Sequence, residues 1–177
     1  MPALIGPSSG HEWWQLVIRL LAAVALGGLV GWNRERRDKP AGLRTHILVA
    51  LGSATFLLLG LEIEAQLSPG GGPGIDPTRV LQGVVGGIGF LGAGSILKSR
   101  GHITGVTTAA SIWVSGALGA AAGLGAFVLA GSAALLTFLT LAVLGKLERR
   151  IRPAKPPTPQ PSADAPSDSD ESDNAIL

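Results

Sequence analysis

Positive charge in this chain is packed into three short clusters, and the stretches between them are long, apolar and almost free of charge. Twelve of the 14 Lys and Arg residues fall in these clusters: Arg34, Arg36, Arg37, Lys39 and Arg44; Lys98 and Arg100; and Lys146, Arg149, Arg150, Arg152 and Lys155. A soluble domain of 177 residues would spread its charge along the chain, whereas apolar runs of about 20 residues are what a helix needs to cross a hydrocarbon layer of about 30 Å. The composition agrees, with 46% hydrophobic and only 15% charged residues and 26 glycines. The pattern excludes an ordinary soluble enzyme and implies an all-α, polytopic membrane helix bundle. A net charge of +2 gives no reason to expect a nucleic-acid partner. The lack of Cys excludes disulfides, thiolate metal sites and cysteine nucleophiles.

Five spans are expected. The first covers 13–32, with Trp13, Trp14 and Trp32 at its ends as interfacial aromatics. The second covers 45–61 and the third 80–97. The apolar stretch 104–145 is too long for one crossing, and Gly123-Leu124-Gly125 supplies a natural break, giving spans at about 104–122 and 126–145. Five spans put all three basic clusters on one side. The positive-inside rule makes that side cytoplasmic, with the amino terminus outside and the carboxyl terminus inside. Residues 1–12 then form an extracytoplasmic segment without the basic start of a cleaved signal. Residues 13–152 form the transmembrane domain. Residues 153–177, rich in Pro, Ser and acidic groups, read as a disordered cytoplasmic tail, either simply solvated or an interaction segment.

Two soluble-enzyme motifs occur by chance. Gly6-Pro7-Ser8-Ser9-Gly10 lacks a strand-turn-helix setting. Gly87-Ile88-Gly89-Phe90-Leu91-Gly92 lies inside an expected span with no acidic residue following at dinucleotide-site spacing. The glycines of the third span, Gly83, Gly86, Gly87, Gly89, Gly92 and Gly94, have two readings. They could pack the helix tightly at the centre of the bundle, as small residues do where lipid supplies no hydrophobic drive between helices, or they could mark a broken helix whose backbone lines a site. Gly27 and Gly31 make a small-x-x-x-small pair in the first span.

The polar residues of the spans are few. Thr104, Thr107, Thr108, Ser111 and Ser115 recur at helical spacing in the fourth span, as glue between helices or as the lining of a polar path. Arg19 is the one full charge well inside a span; it either pairs with a buried partner, for which Asp76 beside Arg79 is the candidate, or snorkels to the interface. At the opposite end Asn33, Arg34, Glu35, Arg44, Thr45 and His46 gather between the first two spans, where Glu35 can bond Arg44 or His46.

Taken together, these motifs resemble the membrane domain of the MgtC/SapB family. Its carriers are Gly31-Trp32-Asn33-Arg34-Glu35-Arg36 running into Ala41-Gly42-Leu43-Arg44-Thr45-His46, then Asp76-Pro77-Thr78-Arg79 followed by the glycines at 87–94, then Gly105-Val106-Thr107-Thr108-Ala109-Ala110 with Trp113. The resemblance runs from Arg19 to about Arg150. It implies a bacterial inner-membrane protein with about five spans, linked to growth in low magnesium and, in some members, to virulence and to restraint of the ATP synthase. MgtC-type members carry a folded cytoplasmic domain after the last helix, and here a Pro/Asp/Ser tail stands in that place, so the likeness is closer to short SapB-like members.

Two functional classes follow: a regulator acting through partner membrane proteins, or a transporter or channel for Mg²⁺ or another cation. Mg²⁺ is usually held by one or two carboxylates. No Asp or Glu stands in the middle of any expected span, and Arg19 would repel a cation. Regulation is therefore the favoured reading, with hydrated passage along the hydroxyl face of the fourth span as the alternative. No nucleophile-base pair or metal cluster has a usable spacing, so no enzymatic activity, cofactor or identifiable metal site is expected. Besides the lipid bilayer, the partners envisaged are a second copy, through the glycine faces, or another membrane protein.

Overall fold

The computed structural model of the chain describes residues 13–67, 76–99 and 102–151. The expected extracytoplasmic segment 1–12 and the tail 153–177 lie outside them. The elements are α1 (Trp13–Glu35), α2 (Leu43–Leu67), α3 (Pro77–Gly94), β1 (Leu97–Ser99), β2 (His102–Thr104), α4 (Val106–Gly123) and α5 (Phe127–Ile151). The helix α4 occupies the middle, packing against each of the other four, and α1 and α2 form its closest-knit partners.

The distribution of residue types is inverted relative to a water-soluble core. The buried residues are mostly small: Ala23, Ala50, Ala54 and Ala122 form one cluster, and Val30, Leu118 and Ala134 another. The large apolar side chains point outward, with Val128 89% and Phe90 80% exposed. Apolar surface on that scale is unstable in water and comfortable in lipid, where helices associate through close backbone contact between small residues. Among the described residues four helices, α1, α2, α4 and α5, are long and apolar enough to cross a membrane. The helix α3 falls short of that apolarity, because Arg79, Gln82 and six glycines dilute its apolar residues. It nevertheless runs antiparallel to α2 through the same layer: Val80 lies against Gly60 near one end, and Gly92 lies against Ala109 near the other.

The boundaries follow from local chemistry. Asp76 caps α3 by accepting from the Thr78 N–H at 2.9 Å, and Pro77 occupies the first turn, where no amide donor is needed. This starts the helix at 77 rather than 80. Its end at Gly94 leaves residues 97–99 and 102–104 to two short antiparallel strands with Leu97 opposite Thr104 and Lys98 opposite Ile103. Thr104 therefore belongs to β2 and not to the fourth helix. Gly105 follows β2 at φ 89°, and Gly125 makes the α4–α5 turn at φ 77°, a conformation that L side chains avoid. The α1 terminus is a Schellman arrangement in which Lys39 N–H reaches Arg34 O and Asp38 N–H reaches Glu35 O, with Asp38 at φ 49°.

The glycines divide sharply. A Cβ placed on Gly83, Gly86, Gly87, Gly89 or Gly94 of α3 would meet nothing within 4 Å, so these residues do not pack the centre of the bundle; α3 is also an unbroken helix. Of the α3 glycines only Gly92 touches a neighbour, with Ala109 O 3.4 Å from such a Cβ. Close approach occurs instead where α1 and α4 meet α2. At Gly27 a Cβ would stand 2.6 Å from His46 O, and at Gly31 2.8 Å from Leu43 Cα. At Gly119 it would overlap the Ala50 carbonyl.

Candidate functional site

Where α1, α2 and α4 meet, near the end carrying the first basic cluster, the small-residue core gives way to a buried polar chain. The close approach at Gly27 and Gly31 brings the C-terminal turn of α1 against the first turns of α2 and so buries Asn33, Arg34 and His46. Helical spacing puts Thr108, Ser111 and Ser115 on the one face of α4 that meets them, and all three are buried. Arg34 Nη2 donates to Thr108 Oγ1 at 2.6 Å. The Ser111 hydroxyl lies 2.8 Å from the Thr108 carbonyl and 3.0 Å from His46 Nε2, while His46 Nδ1 lies 2.7 Å from the Gly42 carbonyl.

The chain has a definite proton logic. A carbonyl only accepts, so Nδ1 of His46 carries the hydrogen that reaches Gly42 O. In the neutral ring Nε2 is then an acceptor, and the one Ser111 hydrogen is contested between Nε2 and Thr108 O. Only rotation of a hydroxyl separates the two arrangements. Arg34 Nε, Asn33 Oδ1 and Ser115 Oγ are buried with no hydrogen-bond partner among the described residues. Such atoms weaken a fold by about 1–3 kcal/mol each and in native proteins call for an explanation other than stability.

The remaining sequence candidates are placed otherwise. Glu35 bonds neither Arg44 nor His46: its Oε2 accepts from the Leu43 N–H at 2.9 Å and so caps α2 from eight residues upstream. A side chain on Gly42 would collide with that carboxylate, which gives the Ala41-Gly42-Leu43 sequence its reason. Arg44 is exposed and Thr45 half-buried. Thr107 is exposed, so the polar stripe narrows to Thr108, Ser111 and Ser115. Arg37 Nη2 reaches Ala142 O at 2.9 Å, tying the α1–α2 loop to α5.

Arg19 does not pair with Asp76. Its Nη1 donates to Gly123 O at 2.9 Å and its guanidinium lies against Gly125, so it closes the C-terminal end of α4, where carbonyls lack helical partners and the dipole favours a cation. No sequence signal announces a backbone carbonyl as a partner. Asp76 is fully exposed, and its hydrogen bonds from Thr78, aided by Arg79, hold its carboxyl below the usual value. A carboxyl held low stabilises while ionised, so its contribution is lost as pH falls through that lowered value. Asp76→Asn should keep the cap, whereas Asp76→Ala should fray the start of α3 and leave Arg19 undisturbed. Arg19→Ala should loosen the α4–α5 turn by about 0.3–1 kcal/mol. Amide hydrogen exchange of the two segments separates these outcomes, and faster exchange at 123–126 in Asp76→Ala would restore the pairing.

Among the described residues no group of three His, Cys, Asp or Glu side chains is placed to hold a metal ion. The fold and this cluster define a small polytopic membrane bundle with a cationic, hydroxyl-rich centre. The MgtC family model matches residues 20–150, and the chain belongs to that family. Protein SrpB of Synechococcus elongatus is 40% identical over 146 residues, covering 78% of this chain and 79% of that protein. The putative magnesium transporter YhiD of Escherichia coli K12 is 40% identical over 137 residues, covering 77% of this chain and 64% of YhiD. Protein MgtC of Salmonella typhimurium is 38% identical over 135 residues, covering 76% of this chain, and the match spans only 54% of that protein. No solved structure matches the chain.

Proposed function

We propose that the chain is a non-enzymatic protein of the bacterial inner membrane that acts in magnesium homeostasis as a regulator, by binding partner membrane proteins. The observation that carries this reading is Arg34. The Arg34 side chain is 4% exposed at the junction of α1, α2 and α4, and its guanidinium bonds the Thr108 hydroxyl on the face that a cation path along α4 would use. Like charge repels, and burial strengthens the repulsion by lowering the local dielectric. The link to magnesium rests on the family and on the name of YhiD, a putative magnesium transporter. That name also keeps transport as the second reading.

The orientation is part of the proposal. The contact of Arg37 with α5 gathers the first basic cluster and the end of α5 at one face, and β1, which carries Lys98, follows the α3 terminus at that same end. With that face cytoplasmic, the basic residues obey the positive-inside rule. A reporter that works only in the cytoplasm, fused after Arg152, should be active; activity only of a periplasmic reporter would reverse the orientation. The regulatory reading is tested by photo-cross-linking from the exposed position of Trp113 in magnesium-limited cells. A discrete adduct with another membrane protein, or with a second copy, is expected. Adducts with lipid alone would count against it.

A further inference from the structure

Between α2 and α3 lies an open groove of about 590 Å³ whose walls are almost wholly apolar. It exists because three of its lining residues, Gly52, Gly83 and Gly87, have no side chains, and a Cβ on any of them would meet nothing within 4 Å. The one hydroxyl in the lining, on Ser53, is turned back to the Val49 carbonyl at 2.8 Å and offers the groove little polarity. Its rim includes Leu48, 65% exposed, and Leu91, 55% exposed, so it opens sideways onto the surface that faces lipid.

The dimensions are those of a single acyl chain. From Val80 to Leu91 along α3 is eleven residues, about 16 Å at 1.5 Å per residue. One leaflet contributes half of a hydrocarbon core of about 30 Å. The end of the groove marked by Leu48 and Leu91 points toward basic residues. Arg44 is exposed one helical turn before Leu48 on the same face of α2, and Lys98 is exposed in β1, which follows α3. An apolar slot one leaflet long with cations at its mouth complements a lipid whose chain is apolar and whose headgroup is anionic.

We propose that the α2–α3 groove is a binding site for an anionic glycerophospholipid, with one acyl chain lying along Gly52, Gly83 and Gly87 and the phosphate at Arg44 and Lys98. The test uses the full chain purified in detergent and exposed to equal amounts of phosphatidylglycerol and phosphatidylcholine bearing identical acyl chains. Retained lipid is weighed by native mass spectrometry. Retention of phosphatidylglycerol over phosphatidylcholine by about tenfold, equivalent to about 1.4 kcal/mol, is expected. The double variant Gly83→Leu/Gly87→Leu should lose that adduct, and Gly52→Leu should lose it from the opposite wall. Arg44→Gln should keep an adduct but reduce the preference. Equal retention of the two lipids, or undiminished phosphatidylglycerol in all groove-filled variants, would overturn the proposal. So would a dimer in the native chain that disappears in the filled variants, since a second copy would then be the occupant. Circular dichroism of each variant identifies any that fails to fold, and Gly52→Leu alone keeps the question decidable if the double variant does.

Discussion

Gly119→Val should remove the protein from the membrane almost completely, while Gly89→Ala, another glycine substitution in a helix of the same bundle, should leave its abundance unchanged or raised. A Cβ on Gly119 would overlap the Ala50 carbonyl and stand 2.7 Å from Ala50 Cα, so α4 and α2 would have to separate along their tightest contact. Backbone cannot rotate away as a flexible side chain can, and overpacking of even yielding cores costs about 1–3 kcal/mol. In a membrane bundle that contact is also the principal attraction, since lipid provides no hydrophobic drive to compensate. On Gly89 a Cβ meets nothing within 4 Å, and Ala exceeds Gly in helix propensity by about 1 kcal/mol. Immunoblots of the membrane fraction with thermal unfolding in detergent read both. Equal losses in the two variants would mean that α3 is packed as closely as α4.

Arg34→Met should separate stability from function. Met approximates the length of the Arg stem without its charge, so the cost of holding a guanidinium out of water disappears with the substitution. Arg34 has particular reason to behave so, because its Nε is buried without a partner among the described residues. The unfolding temperature is therefore expected to hold or rise. Support of growth in magnesium-limited medium should nevertheless fall by about tenfold or more, the equivalent of about 1.4 kcal/mol of lost coupling. A lowered unfolding temperature with activity that tracks abundance would make Arg34 a purely structural residue.

The helical frame was legible because its signals are local. Asp76-Pro77 announces a helix start, the apolar runs announce spans, and Gly123-Leu124-Gly125 announces a turn whose φ of 77° at Gly125 requires that residue. The Gly27–Gly31 spacing likewise announces a close contact, and a Cβ on either residue would press into α2. Other features depend on which face of a helix another helix covers. The glycine-dense α3 invites a central position, yet apart from Gly60 and Gly92 the glycines pressed between the spans are mainly Gly27, Gly31, Gly116, Gly119 and Gly123 on α1 and α4. Strands of three residues, as in β1 and β2, are too short for an alternating pattern to be recognised. In the polar site the residue types were visible and the pairing was not. His46 meets Ser111 across 65 positions and Arg34 meets Thr108 across 74, and Arg19 and Glu35 bond backbone groups that every residue possesses.

Under the proposed function this bundle regulates and does not conduct. The direct measurement is Mg²⁺ entry into sealed vesicles containing the purified chain, followed with an interior magnesium indicator beside protein-free vesicles and vesicles holding Arg34→Met. Entry no faster than in protein-free vesicles is expected, with the chain inserted and helical by circular dichroism. Saturable entry that requires the chain, and that quickens when the Arg34 charge is removed, would contradict it and make the Thr108–Ser111–Ser115 face the path.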